Sequence, residues 1–233
     1  MSKKNIILSL AIVLGIGAYI LAWSFAVHTA APDAVPVRQG TLIFEDNFER
    51  VAVGEDYRQA EADYKSGGPG TWTIKNGRLR GENIHNAALW LKKALPENVR
   101  VEFIARALTD TGDVKCEIFG DGHTHQSGYI LVNGGWGNKV RGIFRLDEHG
   151  EDARKDNRCP PVGKNRVPRC VDKGVDHTWT VERYDQRVRW YIDGRLLLTY
   201  NDAYPLDGQH FAFNNWKAPT EFDELRIYDL GKN

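Results

Sequence analysis

The 233-residue chain is poor in sulfur, with three cysteines and a single methionine. No Cys-x-x-Cys or His-x-x-x-His spacing occurs, which removes the common zinc frameworks. Charge of one sign is equally lacking. Lys and Arg number 31 against 31 Asp and Glu, and beyond residue 40 the balance turns slightly negative. A general nucleic-acid binder needs a basic face to displace counterions from phosphates, so that class is excluded as a partner. No internal repeat marks a solenoid or propeller. No Asn-x-Ser/Thr sequon occurs, which leans towards a bacterial periplasm. After residue 40 no amphipathic helical period stands out. What is present is 23 glycines and 11% aromatics, a composition of many turns and aromatic-bearing strands.

One long apolar run exists. Ile6 to Val27 carries no charge over 22 residues, enough for a helix of roughly 33 Å to cross a bilayer core. Lys3 and Lys4 precede it and the first charge after it is Asp33, so the N-terminus is expected to stay cytoplasmic. The competing reading is a cleaved signal peptide. Its cleavage context is poor, since a cut after Ala30 puts His28 at −3 and a cut after Ala31 puts Pro32 at +1. Residues 1–29 are therefore expected to be a transmembrane signal anchor and 30–40 a linker. The remainder lies outside the cytoplasm on either reading, secreted if the segment is cleaved.

From 41 to 231 strand patterning dominates. In VRVEFIARA, Val99, Val101, Phe103 and Ala105 alternate with Arg100, Glu102 and Arg106. Asn76-Gly77 and Asp193-Gly194 sit between alternating runs and predict type I′ hairpins, because both residues must accept positive φ. Further strands are expected near 41–46, 88–92, 114–119, 128–133, 139–146, 196–200, 210–214 and 222–229. The fold class is all-β, a two-sheet antiparallel jelly-roll sandwich. Residues 147–174 break the pattern and read as a long inserted loop. Within it Cys159 and Cys170 bracket a proline-rich segment and are expected to be bridged in an oxidising compartment, leaving Cys116 free.

Several pieces together resemble the concanavalin A-like lectin/glucanase superfamily. They are the opening Phe44-Glu-Asp46-Asn-Phe48, then Gly70-Thr-Trp72 running into Asn76-Gly77, then Tyr191-Ile-Asp193-Gly194, and the closing Phe222-Asp223-Glu-Leu-Arg-Ile-Tyr-Asp-Leu230. The resemblance spans about residues 42–230 and implies the sandwich. It does not select an activity, since lectins, binding modules, hydrolases and lyases share that frame. The middle segment, Ser127 to Asn138, resembles relatives of undefined function.

The family-16 glucanases of this superfamily carry an E-x-D-x-E strand with nucleophile, helper and acid. The nearest run here is Glu117-Ile-Phe-Gly-Asp121, with Phe119 in the middle and the shorter Asp at the acid position. Residues i and i+4 share a strand face, so Glu117 and Asp121 are catalytic candidates, joined by His125 as a proton-transfer group. His123, His125 and Tyr129 are also candidate groove-rim residues that hydrogen-bond sugar hydroxyls. Trp136, in Gly-Gly-Trp-Gly-Asn, and Trp216, after Asn214-Asn215, sit among turn residues and offer rings for a sugar's C–H face, with Asn214 beside them for its hydroxyls. The resemblance further implies a structural calcium joining the opening segment to the last strand, which points to Asp46 and Asp223; no other cofactor is required. The expected function is a membrane-anchored, extracytoplasmic, non-catalytic carbohydrate-binding domain. Alternatives are a glycoside hydrolase or lyase using the same groove, and an envelope structural or protein-interaction module. Arg158, Lys164, Arg166 and Arg169 around the disulfide segment suggest that a polysaccharide partner is acidic.

Overall fold

The computed structural model describes residues 36–61, 68–150 and 154–232. The anchor expected over 1–29 and most of the linker lie outside the described residues. Among the described residues no helix is long and apolar enough to cross a membrane.

In chain order the strands are β1 (Thr41–Asp46), β2 (Tyr57–Gln59), β3 (Thr71–Lys75), β4 (Arg78–Glu82), β5 (Leu89–Leu91) and β6 (Val99–Ala107). There follow β7 (Val114–Gly120), β8 (Tyr129–Gly134), β9 (Val140–Arg145), β10 (Arg154–Arg158), β11 (Pro161–Val162) and β12 (Val167–Pro168). The chain closes with β13 (Asp176–Tyr184), β14 (Arg187–Ile192), β15 (Arg195–Asn201), β16 (His210–Asn215) and β17 (Thr220–Asp229). One sheet runs β15-β14-β13-β6-β17-β4-β3, with β1 also paired to β17. The other runs β10-β9-β8-β7-β16-β5-β2. All pairings in both are antiparallel.

The inner faces of the two sheets meet in one apolar cluster, with Val99, Val101 and Phe103 of β6 on one side and Cys116, Ile118, Leu131 and Phe213 on the other. Phe103, Phe211, Phe213 and Phe222 form its centre with ring centroids 4.5–6.0 Å apart, the range in which offset and edge-on aromatic pairs add to area burial. Trp72, Trp179 and Trp190 join this cluster, whereas Trp90, between the core residues Leu89 and Leu91, is buried on the opposite face of its strand with Ala60, Ala88 and Ala212. Both hairpins form as read: Asn76 and Gly77 have φ of 54° and 70°, Asp193 and Gly194 of 50° and 73°.

Residues 154–168, within the loop expected over 147–174, form strands. β10 pairs with β9 at the sheet edge, and β11 and β12 form a separate two-stranded ribbon. The Cys159–Cys170 disulfide closes that ribbon, with Cα atoms 4.9 Å apart, while Cys116 is free and buried. Strand periodicity was invisible here because two-residue strands held by a cross-link need no apolar alternation.

Candidate functional site

Strand β7 organises the site. Its alternation sends Val114, Cys116 and Ile118 into the core and turns Lys115 and Glu117 to the opposite face of the sheet. Loops close over that face, so these polar groups are buried too. Glu117 is 0% exposed and accepts three hydrogen bonds: from His125 Nδ1 (2.7 Å), the Gln126 amide (3.1 Å) and Asn214 Nδ2 (2.7 Å). A carboxylate can only accept, so His125 Nδ1 carries a proton. The far ring nitrogen, Nε2, lies 3.8 Å from Glu148 Oε1. Burial opposes charge on His125, but the adjacent Glu117 outweighs it and raises the imidazole to about 9.

Lys115 stands beside this pair. Its ammonium donates to Asn86 Oδ1 (3.0 Å) and Glu148 Oε1 (3.1 Å), and lies 3.5 Å from Asp113 Oδ1. Burial disfavours its charge, yet Asp113 and Glu148 more than restore it. Burial likewise acts to raise Glu148, and Lys115 with His125 pulls it well below the usual carboxylate range. Asp113 moves the other way, pushed up by burial. The network is thus a run of alternating charges, Glu117–His125–Glu148–Lys115–Asp113, drawn from β7 and three separate loops.

Above it lies a groove of about 610 Å3. Asp113, Lys115 and Glu148 reach its floor together with Asn86 and Gln126, and Trp136 and Trp216 line it with His149. Trp136 rests 5.7 Å from the Phe144 ring and edge-on to His149 at 5.9 Å, with 42% of its surface exposed. Trp216 sits edge-on to His85 at 5.2 Å. The turn that presents Trp136 is a single helical turn, Gly135–Asn138, in which Trp136 and Gly137 have left-handed φ/ψ. Gly134 before it has φ +78°, and a Cβ there would meet Asn138 Oδ1 at 2.8 Å, so only glycine fits. Asn138 pins the turn. Its Nδ2 donates to the Val171 and Asp110 carbonyls, and its Oδ1 accepts from the Cys170 and Val171 amides. The disulfide segment therefore supports the tryptophan.

The structure brings some of the sequence candidates together and separates others. Trp136 and Trp216 line one groove, and Glu117, His125 and Asn214 form one cluster beneath it. Asp121 leaves that face. Phe119 takes φ +59°, which breaks the strand alternation and turns its ring into the core, so i and i+4 no longer align. The Asp121 carboxylate instead caps its own loop, accepting from the His123 and Thr124 amides and the Thr124 and Ser127 hydroxyls. Burial acts to raise it, and those bonds prevail, lowering it to about 2; a general acid needs the opposite shift. His123 is exposed on that loop. Tyr129 points the other way, into the core, where its hydroxyl donates to Asp202 (2.7 Å) and accepts from the Leu206 amide.

The calcium expectation meets an occupied carboxylate. Asp46 is gripped by both Arg50 terminal nitrogens and receives the Tyr57 hydroxyl and the Phe48 amide. A guanidinium therefore stands where a cation would bind. Asp223 faces Arg78 at 3.8 Å and caps the Glu224 amide. Among the described residues no group of three or more His, Cys, Asp or Glu is placed to hold a metal ion, so this donor set does not fit a calcium.

Sequence reasoning missed Lys115, Asp113, Glu148, Asn86, Gln126 and His149. The run DVKCEIF puts Lys115 and Glu117 two residues apart on one strand face, but nothing local signals that loops bury that face.

No protein-family model and no curated protein sequence matches the chain. Solved structures do. A structure described with endo-acting O-glycanases that prominent members of the human gut microbiota express to initiate mucin breakdown superposes at TM-score 0.57 and 16% identity, covering 82% of this chain and 100% of its own. SCLam, a non-specific endo-β-1,3(4)-glucanase of glycoside hydrolase family 16, gives 0.55 and 15%, covering 86% and 98%. A protein of unknown function with a galectin-like fold from Bacillus subtilis gives 0.54 and 10%, covering 82% and 98%. Identities this low speak to the frame alone, and with the two antiparallel sheets described above they give the chain the concanavalin A-like lectin/glucanase fold.

Proposed function

We propose that the groove over β7 and β8 binds carbohydrate without cleaving it. The observation that carries this reading is the pairing of two tryptophans, Trp136 and Trp216, on the walls of a groove with a polar floor. Aromatic walls take the C–H faces of a sugar and amide and carboxylate groups take its hydroxyls. Glycan-active and glycan-binding proteins share the fold, and Glu117 favours binding over hydrolysis because three protein donors already occupy it and no solvent reaches it. The test is a glycan-array screen followed by titration of Trp136→Ala and Trp216→Ala, each expected to weaken binding about tenfold or more. Loss of neither interaction on substitution sinks the reading.

The second reading is a hydrolase or lyase working through Glu117 and His125, favoured by their short contact beneath the groove. An enzyme would lose turnover but keep binding in Glu117→Gln. We further propose that Ile6–Val27 anchors the domain on the outer side of a membrane, with the N-terminus cytoplasmic. Membrane-fraction protein whose N-terminal sequence begins between Ala30 and Val37 would refute this. An acidic polymer would meet the disulfide ribbon. Lys164 and Arg166 are exposed there, whereas Arg169 is paired with Asp172 and Asp110.

A further inference from the structure

One wall of the groove carries a cation. Trp216 lines the groove, and the Lys217 ammonium lies 5.5 Å from the centre of its ring, within the range of a cation–π contact. Lys217 is exposed and has no ion-pair partner among the described residues. Its φ of 63° is a left-handed conformation that L side chains seldom adopt. The turn holds it there. The Ala218 amide donates to the Trp216 carbonyl (2.7 Å), and the buried Asn215 Nδ2 donates to the Ala218 carbonyl and the Thr220 hydroxyl (both 2.7 Å). Strain of this kind persists only where the surroundings over-determine it, and it collects at binding sites. Trp136 on the other wall is presented in the same way, with φ 53°.

Charge beneath the groove is settled inside the protein. Lys115 and His125 stand against Glu117, Glu148 and Asp113, and burial pushes Asp113 towards its neutral form. Lys217, at the groove edge, is balanced by solvent alone. A neutral sugar gains from it only the packing of its stem, whereas a carboxylate or sulfate receives its ammonium in a charge-assisted hydrogen bond. The two tryptophans then do different work. The Trp216 ring seats the ammonium, and the exposed Trp136 takes the C–H face of a sugar. Resting on the reading of this groove as the carbohydrate site, we infer that Lys217 is a specificity-determining residue whose ammonium receives the carboxylate or sulfate of an acidic sugar unit bound there.

Calorimetric titration of the full-length chain with matched tetrasaccharides tests this. Gluco-, galacto- and manno-configured series are each used in neutral, uronic and O-sulfated forms, the last two separating carboxylate from sulfate. In whichever series binds, an acidic member is expected to bind at least about fivefold tighter than the neutral one. Lys217→Met keeps the apolar stem and is expected to erase that preference while neutral binding stays within about twofold. Lys217→Arg is expected to keep the preference. Lys217→Gly, which accepts the left-handed φ freely, gives the same readout if Lys217→Met fails to fold. Neutral members that bind as tightly as the acidic ones, or a preference that survives Lys217→Met, would overturn the inference; the carbohydrate reading stands if Trp136→Ala still weakens binding. Titrations unchanged in Trp136→Ala, or no heat of binding from any member, would overturn both.

Discussion

Raising the pH should dismantle the charge run under the groove, and His125 sets where. Its imidazole is held at about 9 in the fold against an ordinary 6.5, because Glu117 outweighs burial. A folded-state value above the unfolded one means stability that is complete below pH 6.5 and is lost as pH rises through about 9. The difference corresponds to roughly 3 kcal/mol at 1.36 kcal/mol per unit. Solvent does not discount it, since the ring is 1% exposed. Urea unfolding of residues 37–233, which form one compact unit, measures this from pH 6 to 10 in the parent and in His125→Gln. The parent is expected to lose roughly 3 kcal/mol more than the variant across that window. Cys116 also favours low pH, because burial holds its thiol well above the usual range while the unfolded thiol ionises freely. It contributes equally to both proteins and cancels in the difference. Parallel curves, agreeing within about 1 kcal/mol, would show that Glu117 does not hold a charged imidazole.

Lys115→Met should lower the thermal midpoint by about 10 °C, since removing the cation strands Glu148 and Asp113 in a buried site at a cost of roughly 3–5 kcal/mol; calorimetry at neutral pH decides. Replacing Cys159 and Cys170 by Ser should cost about 3 kcal/mol and also weaken any Trp136-dependent binding, because Asn138 ties that turn to Cys170 and Val171. Binding unchanged after such a replacement would mean the turn holds itself. Chelation should leave the thermal midpoint where it is, Arg50 already filling the Asp46 carboxylate; a fall of several degrees with EDTA, reversed by calcium, would show an ion bound elsewhere.

The amino-acid sequence by itself determined the class of fold. Period-2 alternation in VRVEFIARA and HTWTVERY, and Asn-Gly and Asp-Gly at two hairpins, are local constraints. They act over two to nine residues and need no knowledge of partners. The same locality explains the Cys159–Cys170 bridge, whose ends lie eleven residues apart. What failed were inferences that assumed a strand stays regular or a loop stays irregular. Phe119 breaks the β7 alternation and sends Asp121 away from Glu117. Tyr129 follows β8 inward to Asp202. The groove floor was beyond any local signal, because Asn86, the neighbouring Asp113 and Lys115, and Glu148 come from three separate places in the chain. Only sheet packing and loop closure bring them within hydrogen-bond reach of one ammonium. Burial then decides their charges, since the strength of a charge pair depends on how much water the closed fold leaves around it.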